Sequence, residues 1–126
     1  MDGQQLPGAA LAYIGDAVFE VFVRRRLLTE GLTRSKDLNR ASLSFVRATA
    51  QSDAAERVLP FLSDEETEIF KRGRNASGLS VPKSADAASY RRATGLEALF
   101  GWLYLRGQNE RAQELFDKAF ETESKT

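Results

Sequence analysis

The sequence has no cysteine and no histidine among its 126 residues, and only three prolines. Without cysteine there is no disulfide, no thiolate nucleophile and no cysteine-based zinc site. Without histidine there is no Ser-His-Asp triad and no histidine general base. Any catalytic chemistry must therefore depend on carboxylates, and a metal ion bound through oxygen is their natural helper.

Long hydrophobic runs are also missing. No apolar stretch approaches the ~20 residues of a membrane helix, and the N-terminal residues lack the basic-then-apolar layout of a secretory signal. The sequence is 42% hydrophobic and 29% charged, which is typical of a globular protein. We therefore expect one domain over residues 1–126, located in the cytoplasm, with no membrane partner and no small-molecule cofactor.

The charges balance overall but not locally. The chain carries 18 basic and 18 acidic residues, so its formal net charge is zero. Residues 71–92, here called the basic segment, hold six basic residues and one acid, a local net charge of +5. Such a segment in a neutral protein is typical of a phosphate-binding surface. A solvated charged face explains the same charges about as well.

Turn residues and apolar spacing predict an all-α protein. Six helices are predicted: from Pro7 to about Glu30, a short one capped by Thr33 or Ser35, one from Ser42 or Ser44 to Val58, one from the capping box of Ser63 and Glu66 to about Gly73, a long one from about Ala85 to Arg106, and a last one after Gly107. Residues 73–84, rich in glycine and serine, are predicted to form a loop.

Two carboxylates stand out because they lie beside apolar helix faces. Asp16 flanks the predicted core face of the first helix, which is formed by Leu11, Ile14, Val18 and Val21. It follows Gly15, which costs a helix about 1 kcal/mol relative to alanine. Glu97 follows another glycine-containing stretch in the apolar fifth helix. Because an unpaired buried carboxylate is costly, each should be paired, protonated or bound to metal.

The glycines near these acids suggest how they could meet. Gly15, Gly95 and Gly101 would let the first and fifth helices approach closely and bring both acids to one point. The pattern leaves an alternative open, in which the acids are independent and each binds an arginine such as Arg24 or Arg92.

The residues around both acids resemble the ribonuclease III family. Residues 13–18, Tyr-Ile-Gly-Asp-Ala-Val, are similar to the end of its signature helix, Glu-Arg-Leu-Glu-Phe-Leu-Gly-Asp-Ala-Val. Residues 96–101, Leu-Glu-Ala-Leu-Phe-Gly, resemble its second catalytic helix, Phe-Glu-Ala-Leu-Ile-Gly. Two metal-binding acids of the family are replaced, by Ala12 and Thr94. These departures are similar to the Mini-ribonuclease III branch, compact bacterial enzymes that have only the catalytic domain.

The resemblance implies a fold, a reaction and a metal. It implies a ribonuclease III-like helical bundle that forms a homodimer and cuts both strands of double-stranded RNA, leaving 5′-phosphate and 3′-hydroxyl ends. Asp16 and Glu97 are then the catalytic residues and the ligands of Mg²⁺, with Mn²⁺ as a substitute. Water or substrate phosphate would fill the places of the two missing acids, and the number of metal ions stays open. Glu20 is either a third ligand or the ion-pair partner of Arg24.

The resemblance also implies where RNA and a second subunit bind. The predicted RNA-binding residues all belong to the basic segment: Lys71, Arg72, Arg74, Asn75, Lys83, Arg91 and Arg92. In this branch the substrates include precursors of large-subunit ribosomal RNA. Tyr13 stands where the family has a phenylalanine that packs across the dimer axis, although an ordinary core aromatic would fit the same position.

Two other functions remain open from the sequence. A ribonuclease III fold that has lost acids could persist as an inactive RNA-binding or ribosome-associated protein. Retention of both Asp16 and Glu97 argues against that alternative. A plain helical interaction domain is the third reading, and the two family-like helices disfavour it.

Overall fold

Within residues 3, 5–78, 80–81 and 86–121, which the computed structural model describes, the chain forms helices and no strand. The α-helices are α1 (Gly8–Thr29), α2 (Ser35–Val46), α3 (Ala48–Val58), α4 (Asp64–Arg74), α5 (Ala87–Leu105) and α6 (Asn109–Ala119), with a short 3-10 turn at Leu59–Phe61. The prediction of an all-α protein is confirmed. None of these helices is long and apolar enough to cross a membrane, as far as the described residues go.

Helix α5 lies at the centre of the bundle and contacts α1, α3, α4 and α6. It is apolar on almost every side, because residues 93–96 and 98–103 are all buried. Aromatic side chains fill the space between α1, α5 and α6. The Phe19 ring meets the edges of Phe100 and Phe116 at centroid distances of 5.5 and 5.7 Å. Such edge contacts add to the free energy gained from burying the rings.

Two glycines allow α1 and α5 to touch backbone to backbone. A methyl group at Gly15 would overlap the backbone carbonyl of Glu97, and one at Gly101 would overlap that of Leu11. The prediction that these glycines bring the two helices together is confirmed. The third predicted glycine, Gly95, instead faces α4, where its missing side chain makes room for Phe70.

The predicted boundary between the second and third helices is wrong. Ser42 and Ser44 do not begin a helix but lie inside α2, where their hydroxyls donate to the carbonyls of Asn39 and Ala41. A serine hydroxyl can donate to a carbonyl of the preceding turn inside a helix, so a serine does not by itself mark the start of a helix. The break comes at Arg47, whose backbone is extended. Neither Thr33 nor Ser35 caps α2, since Arg34 holds the cap position without a side-chain bond.

Other boundaries follow the prediction closely. Ser63 and Glu66 form the predicted capping box at the start of α4. Asp86 caps α5, whose first residue is Ala87 rather than Ala85. Helix α4 continues through Gly73 to Arg74, because Gly73 packs on Ala98 of α5 instead of ending the helix.

Candidate active site

Asp16 and Glu97 lie side by side where α1 crosses α5. The contact of Gly15 with the Glu97 backbone carbonyl places the next residue, Asp16, against the Glu97 side chain. The two carboxyl groups are close enough for the negative charge of Asp16 to act on Glu97. The Asp16 residue is exposed, whereas Glu97 is mostly buried. The helix contact thus produces a carboxyl pair with one member open to solvent.

The surroundings of Glu97 favour its protonated form when no metal is bound. Burial and the neighbouring negative charge of Asp16 raise the pKa of Glu97 to about 8, and the hydrogen bond with Asp16 acts in the same direction. A hydrogen bond from Gln51 opposes the rise. Among the described residues, no ion pair joins either acid to an arginine or lysine. A pair of acids that no basic side chain neutralises favours the binding of a cation from solution.

The alternative that each acid is paired with an arginine is wrong. Arg24 binds Glu20 with an Nε–Oε2 distance of 3.2 Å, which is the ion pair that the sequence allowed at i, i+4. Arg92 donates from Nε to the Ser52 hydroxyl at 2.7 Å and lies 3.7 Å from the Glu56 carboxylate. Both arginines are therefore engaged away from Asp16 and Glu97.

Gln51 is a site residue that the sequence analysis missed. It lies on the inner face of α3 and is only 4% exposed. Its amide nitrogen donates to the Val46 carbonyl at 3.0 Å and approaches Glu97 Oε2 at 3.5 Å. The signal was present in the sequence, since Gln51 shares a helical face with Ala54, Ala55 and Val58 at i, i+3, i+4 and i+7. A glutamine on a face that is otherwise apolar needs a polar partner.

The two positions at which the family has further acids are both buried in this chain. Ala12 is buried in the core, and Thr94 is buried with its hydroxyl donating to the Tyr90 carbonyl at 2.9 Å. The part of the chain that the structure describes contains no group of three or more acids suited to hold a metal. The oxygen donors of Asp16 and Glu97 nevertheless fit a hard cation such as Mg²⁺, which binds through one or two carboxylates and keeps several waters.

The first part of the basic segment lies at the C-terminal end of α4. Lys71, Arg72 and Arg74 occupy the last turn of α4, and Asn75 follows as its C-cap. Next to them is an open groove of about 550 Å³, which also touches the first turn of α1. Lys71 is exposed, while the Arg74 side chain donates to Asn75 Oδ1 at 3.1 Å.

Other cations of this segment also hold the structure together. Arg72 Nη1 donates to the Leu6 carbonyl, and Arg91 Nη1 donates to the Ala76 carbonyl, both at 3.2 Å. Arg92 faces α3, as described above. Lys83, the remaining predicted RNA-binding residue, lies outside the described residues.

Helix α1 presents an apolar face to solvent. Tyr13 is 86% exposed and Val21, two turns later, is 59% exposed. Val21 and Tyr104 of α5 line a groove of about 460 Å³. The alternative that Tyr13 is an ordinary core aromatic is therefore wrong, and so is the prediction that Val21 faces the core. Leu11 and Val18 of the predicted face are buried, and the core face of α1 also carries Phe19, Phe22 and Val23.

Comparison with known proteins identifies the family. A model of the ribonuclease III domain matches residues 9–108, which include Asp16 and Glu97. The chain belongs to the ribonuclease III family. It is 50% identical to a Mini-ribonuclease 3 from Symbiobacterium thermophilum over 90% of this chain and 88% of that protein. It is 42% identical to a Mini-ribonuclease 3 from Enterococcus faecalis over 92% of this chain and 89% of that protein.

A solved structure agrees with this assignment. The crystal structure of a Fusobacterium nucleatum protein superposes with a TM-score of 0.81 at 30% identity, covering 93% of each chain. The resemblance to the Mini-ribonuclease III branch that the sequence analysis found is confirmed. The protein is an endoribonuclease with the ribonuclease III fold.

Proposed function

We propose that this chain is a single catalytic domain that hydrolyses double-stranded RNA with the help of Mg²⁺ held by Asp16 and Glu97. The observation that carries the proposal is that the contact of Gly15 with the Glu97 backbone brings these two acids together, while no described arginine or lysine forms an ion pair with either. Mn²⁺ has similar oxygen-ligand chemistry and should replace Mg²⁺. The RNA substrate class and the metal both follow from the family and from the donor set of the site.

The chain contributes binding and orientation to this reaction. Exposed Asp16 and half-buried Glu97 would hold the cation at the edge of the α1–α5 contact, where a phosphate can reach it. When bound, Mg²⁺ activates a water and neutralises charge on the phosphate and on the leaving oxygen. Hydrolysis adds water across the P–O3′ bond, so the phosphate stays on the 5′ end and the 3′ oxygen receives a proton. The backbone contact at Gly15 keeps Asp16 fixed during this step.

A substrate panel tests the proposal. Duplex RNA, single-stranded RNA and duplex DNA of one sequence would each be incubated with Mg²⁺ or with EDTA. We expect cleavage of duplex RNA alone, only with Mg²⁺, and with 5′-phosphate ends. Binding of duplex RNA without any cleavage would contradict the proposal and favour an inactive RNA-binding protein. We infer that the natural substrates are precursors of large-subunit ribosomal RNA. We also infer that the protein meets them in the cytoplasm.

We infer that the basic segment contacts RNA phosphates. A-form duplexes are recognised mainly through phosphates and 2′-hydroxyls, so basic side chains suit this role. Lys71→Ala with Arg74→Ala should weaken binding to every duplex and lower the log–log salt slope by about one unit for each lost contact. The matched control is Lys118→Ala on α6, whose ammonium lies over the Phe61 ring. Unchanged affinity and slope in the double variant would contradict this role.

We also infer a two-fold dimer that buries the apolar face of α1 around Tyr13. Tyr13, Val21 and Tyr104 are all exposed, and Val21 and Tyr104 line one groove. This supports a dimer, because monomeric proteins rarely leave such apolar side chains open to solvent. Sedimentation should give a dimer for the wild type and a monomer for Tyr13→Glu. A wild-type monomer at concentrations that give full activity would count against it.

A further inference from the structure

The amide of Gln51 is an unusual group to bury. It lies on α3 between the core and the Glu97 carboxyl, and its residue is almost fully buried. Its nitrogen has two acceptors, but its oxygen, Oε1, has no hydrogen-bond partner among the residues that the structure describes. An unsatisfied buried polar atom costs about 1–3 kcal/mol. An apolar side chain of the same length would avoid this free-energy cost, so the stability of the fold does not account for Gln51.

The orientation of this amide is fixed by its surroundings. The Val46 carbonyl can only accept a hydrogen bond, so the group that faces it at 3.0 Å must be the amide nitrogen. The same nitrogen has a second hydrogen directed toward Glu97 Oε2 at 3.5 Å. The carbonyl of Val46 lies at the last residue of α2, directly before the extended Arg47. The break between α2 and α3 thus anchors the amide against the Glu97 carboxyl.

We propose that Gln51 is a positioning residue of the metal site, whose amide nitrogen, anchored on the Val46 carbonyl, holds the Glu97 carboxylate in the orientation that binds the cation together with Asp16. The proposal rests on the proposed function, because it assigns a role to Gln51 at the same site. Groups that orient metal ligands typically change metal affinity 10- to 100-fold when they are removed. The long contact to Glu97 is expected to shorten when the cation draws the carboxylate into place.

This role of Gln51 explains how the Glu97 carboxylate can be oriented although two acids of the family are missing. Ala12 and Thr94 replace two family acids, so neither position can supply a carboxylate beside Glu97. Arg92, which lies on α5 like Glu97, is bound to Ser52 and Glu56 on α3. Helix α3 therefore reaches Glu97 through a neutral donor, which orients the carboxylate without competing with the metal for its charge.

Titration of Mn²⁺ without RNA, followed by calorimetry or by the electron paramagnetic resonance of free Mn²⁺, tests the proposal. Gln51→Met keeps the length and the helix propensity of the side chain but removes both hydrogen bonds. We expect its Mn²⁺ affinity to fall 10- to 100-fold with helical content retained. With duplex RNA, the rate at low Mg²⁺ should fall by a similar factor and recover when Mg²⁺ is raised. A purely structural role would not produce this rescue by metal.

Ser52→Ala provides the matched control. Ser52 is the next residue on α3, is equally buried, and also loses a side-chain hydrogen bond, but its partner is Arg92 and not Glu97. We expect Ser52→Ala to bind Mn²⁺ within about twofold of the wild type, since Asp16, Glu97 and Gln51 keep their contacts in this variant. Equal affinities for Gln51→Met and the wild type would overturn the proposal.

The outcome also separates this proposal from the proposed function. Asp16→Asn and Glu97→Gln should abolish Mn²⁺ binding, and if they bind it normally the metal site itself is wrongly assigned. If they lose binding while Gln51→Met keeps it, only the role of Gln51 fails. Should Gln51→Met not fold, Gln51→Asn replaces it, because the shorter amide cannot reach Val46 and Glu97 together and must also lower the affinity. Wild-type affinity of folded Gln51→Asn would overturn the proposal equally.

Discussion

Two glutamates in this protein, one buried and one half-buried, have opposite environments. Glu66 on α4 has a side chain that is 7% exposed, and both of its oxygens lie 2.8 Å from the guanidinium of Arg111. That guanidinium and the Ser63 donors hold the pKa of Glu66 below its usual value. Glu97 on α5 faces the acid Asp16 instead, and its pKa rises to about 8. Where an acid serves the fold, the chain supplies a cation. In the proposed function, Glu97 instead meets a cation that comes from outside the chain.

Removing the charge at the site should have the largest effect. Asp16→Asn and Glu97→Gln each keep the side-chain volume, and each should lower the cleavage rate of duplex RNA at least about a thousandfold because the cation is lost. The control is Glu20→Gln, one turn beyond Asp16, whose carboxylate binds Arg24. Its rate should stay close to that of the wild type. Near-normal cleavage by either site variant would remove the contrast between the two glutamates.

Removing the charge of the structural glutamate should affect stability and not catalysis. Glu66→Gln leaves the Arg111 guanidinium without its buried carboxylate and should lower the free energy of unfolding by about 2 kcal/mol. The matched control is Glu65→Gln, whose exposed pair with Arg106 spans 3.8 Å and should be worth less than about 1 kcal/mol. Denaturant unfolding measures both. The contrast fails if Glu66→Gln is as stable as the control or loses activity while folded.

The pH dependence of stability should differ in sign between the two acids. Without metal, folded Glu97 holds its proton up to about pH 8, whereas unfolded Glu97 loses it near 4.5. The folded state therefore binds more protons in this window, and stability falls as the pH rises, by at most about 1.4 kcal/mol per pH unit. Glu66 does the reverse, because its lowered pKa makes its contribution full above 4.5 and lost below.

Unfolding of the metal-free protein between pH 5 and 8 checks this sign. Glu97→Gln should remove the fall in stability, and a saturating divalent cation should offset it in the wild type. A wild-type protein whose stability rises steadily through this window, or a Glu97→Gln variant with an unchanged profile, would contradict the assigned environment of Glu97.

The sequence predicts the parts of the structure that depend on local chemistry. The capping box at Ser63 and Glu66, the stop after α5 at Gly107 and the close contact through Gly15 and Gly101 follow from residue types whose preferences are strong. The boundary between α2 and α3 could not be predicted from Ser42 and Ser44, because a serine hydroxyl can cap a helix or bond within it.

The candidate site was predictable only in part. Asp16 and Glu97 could be singled out because each is an acid beside a glycine or apolar face and lies in a family-like stretch. Gln51 was missed because a neutral side chain gives no charge signal, and its meaning depends on Val46 and Glu97, which are distant in sequence or lie across a helix break. Whether a carboxylate has an internal cation depends on tertiary contacts that spacing alone does not contain.

The most direct test of the central claim counts the protons released when the cation binds. Because Glu97 is mostly protonated at pH 7 with a pKa of about 8, Mg²⁺ or Mn²⁺ must displace its proton to reach the carboxylate. Calorimetric titration in two buffers of different ionisation enthalpy should therefore report close to one proton released per site. Cation binding with no proton release at pH 7, or with a release that Glu97→Gln leaves unchanged, would contradict the claim that Asp16 and Glu97 form the metal site.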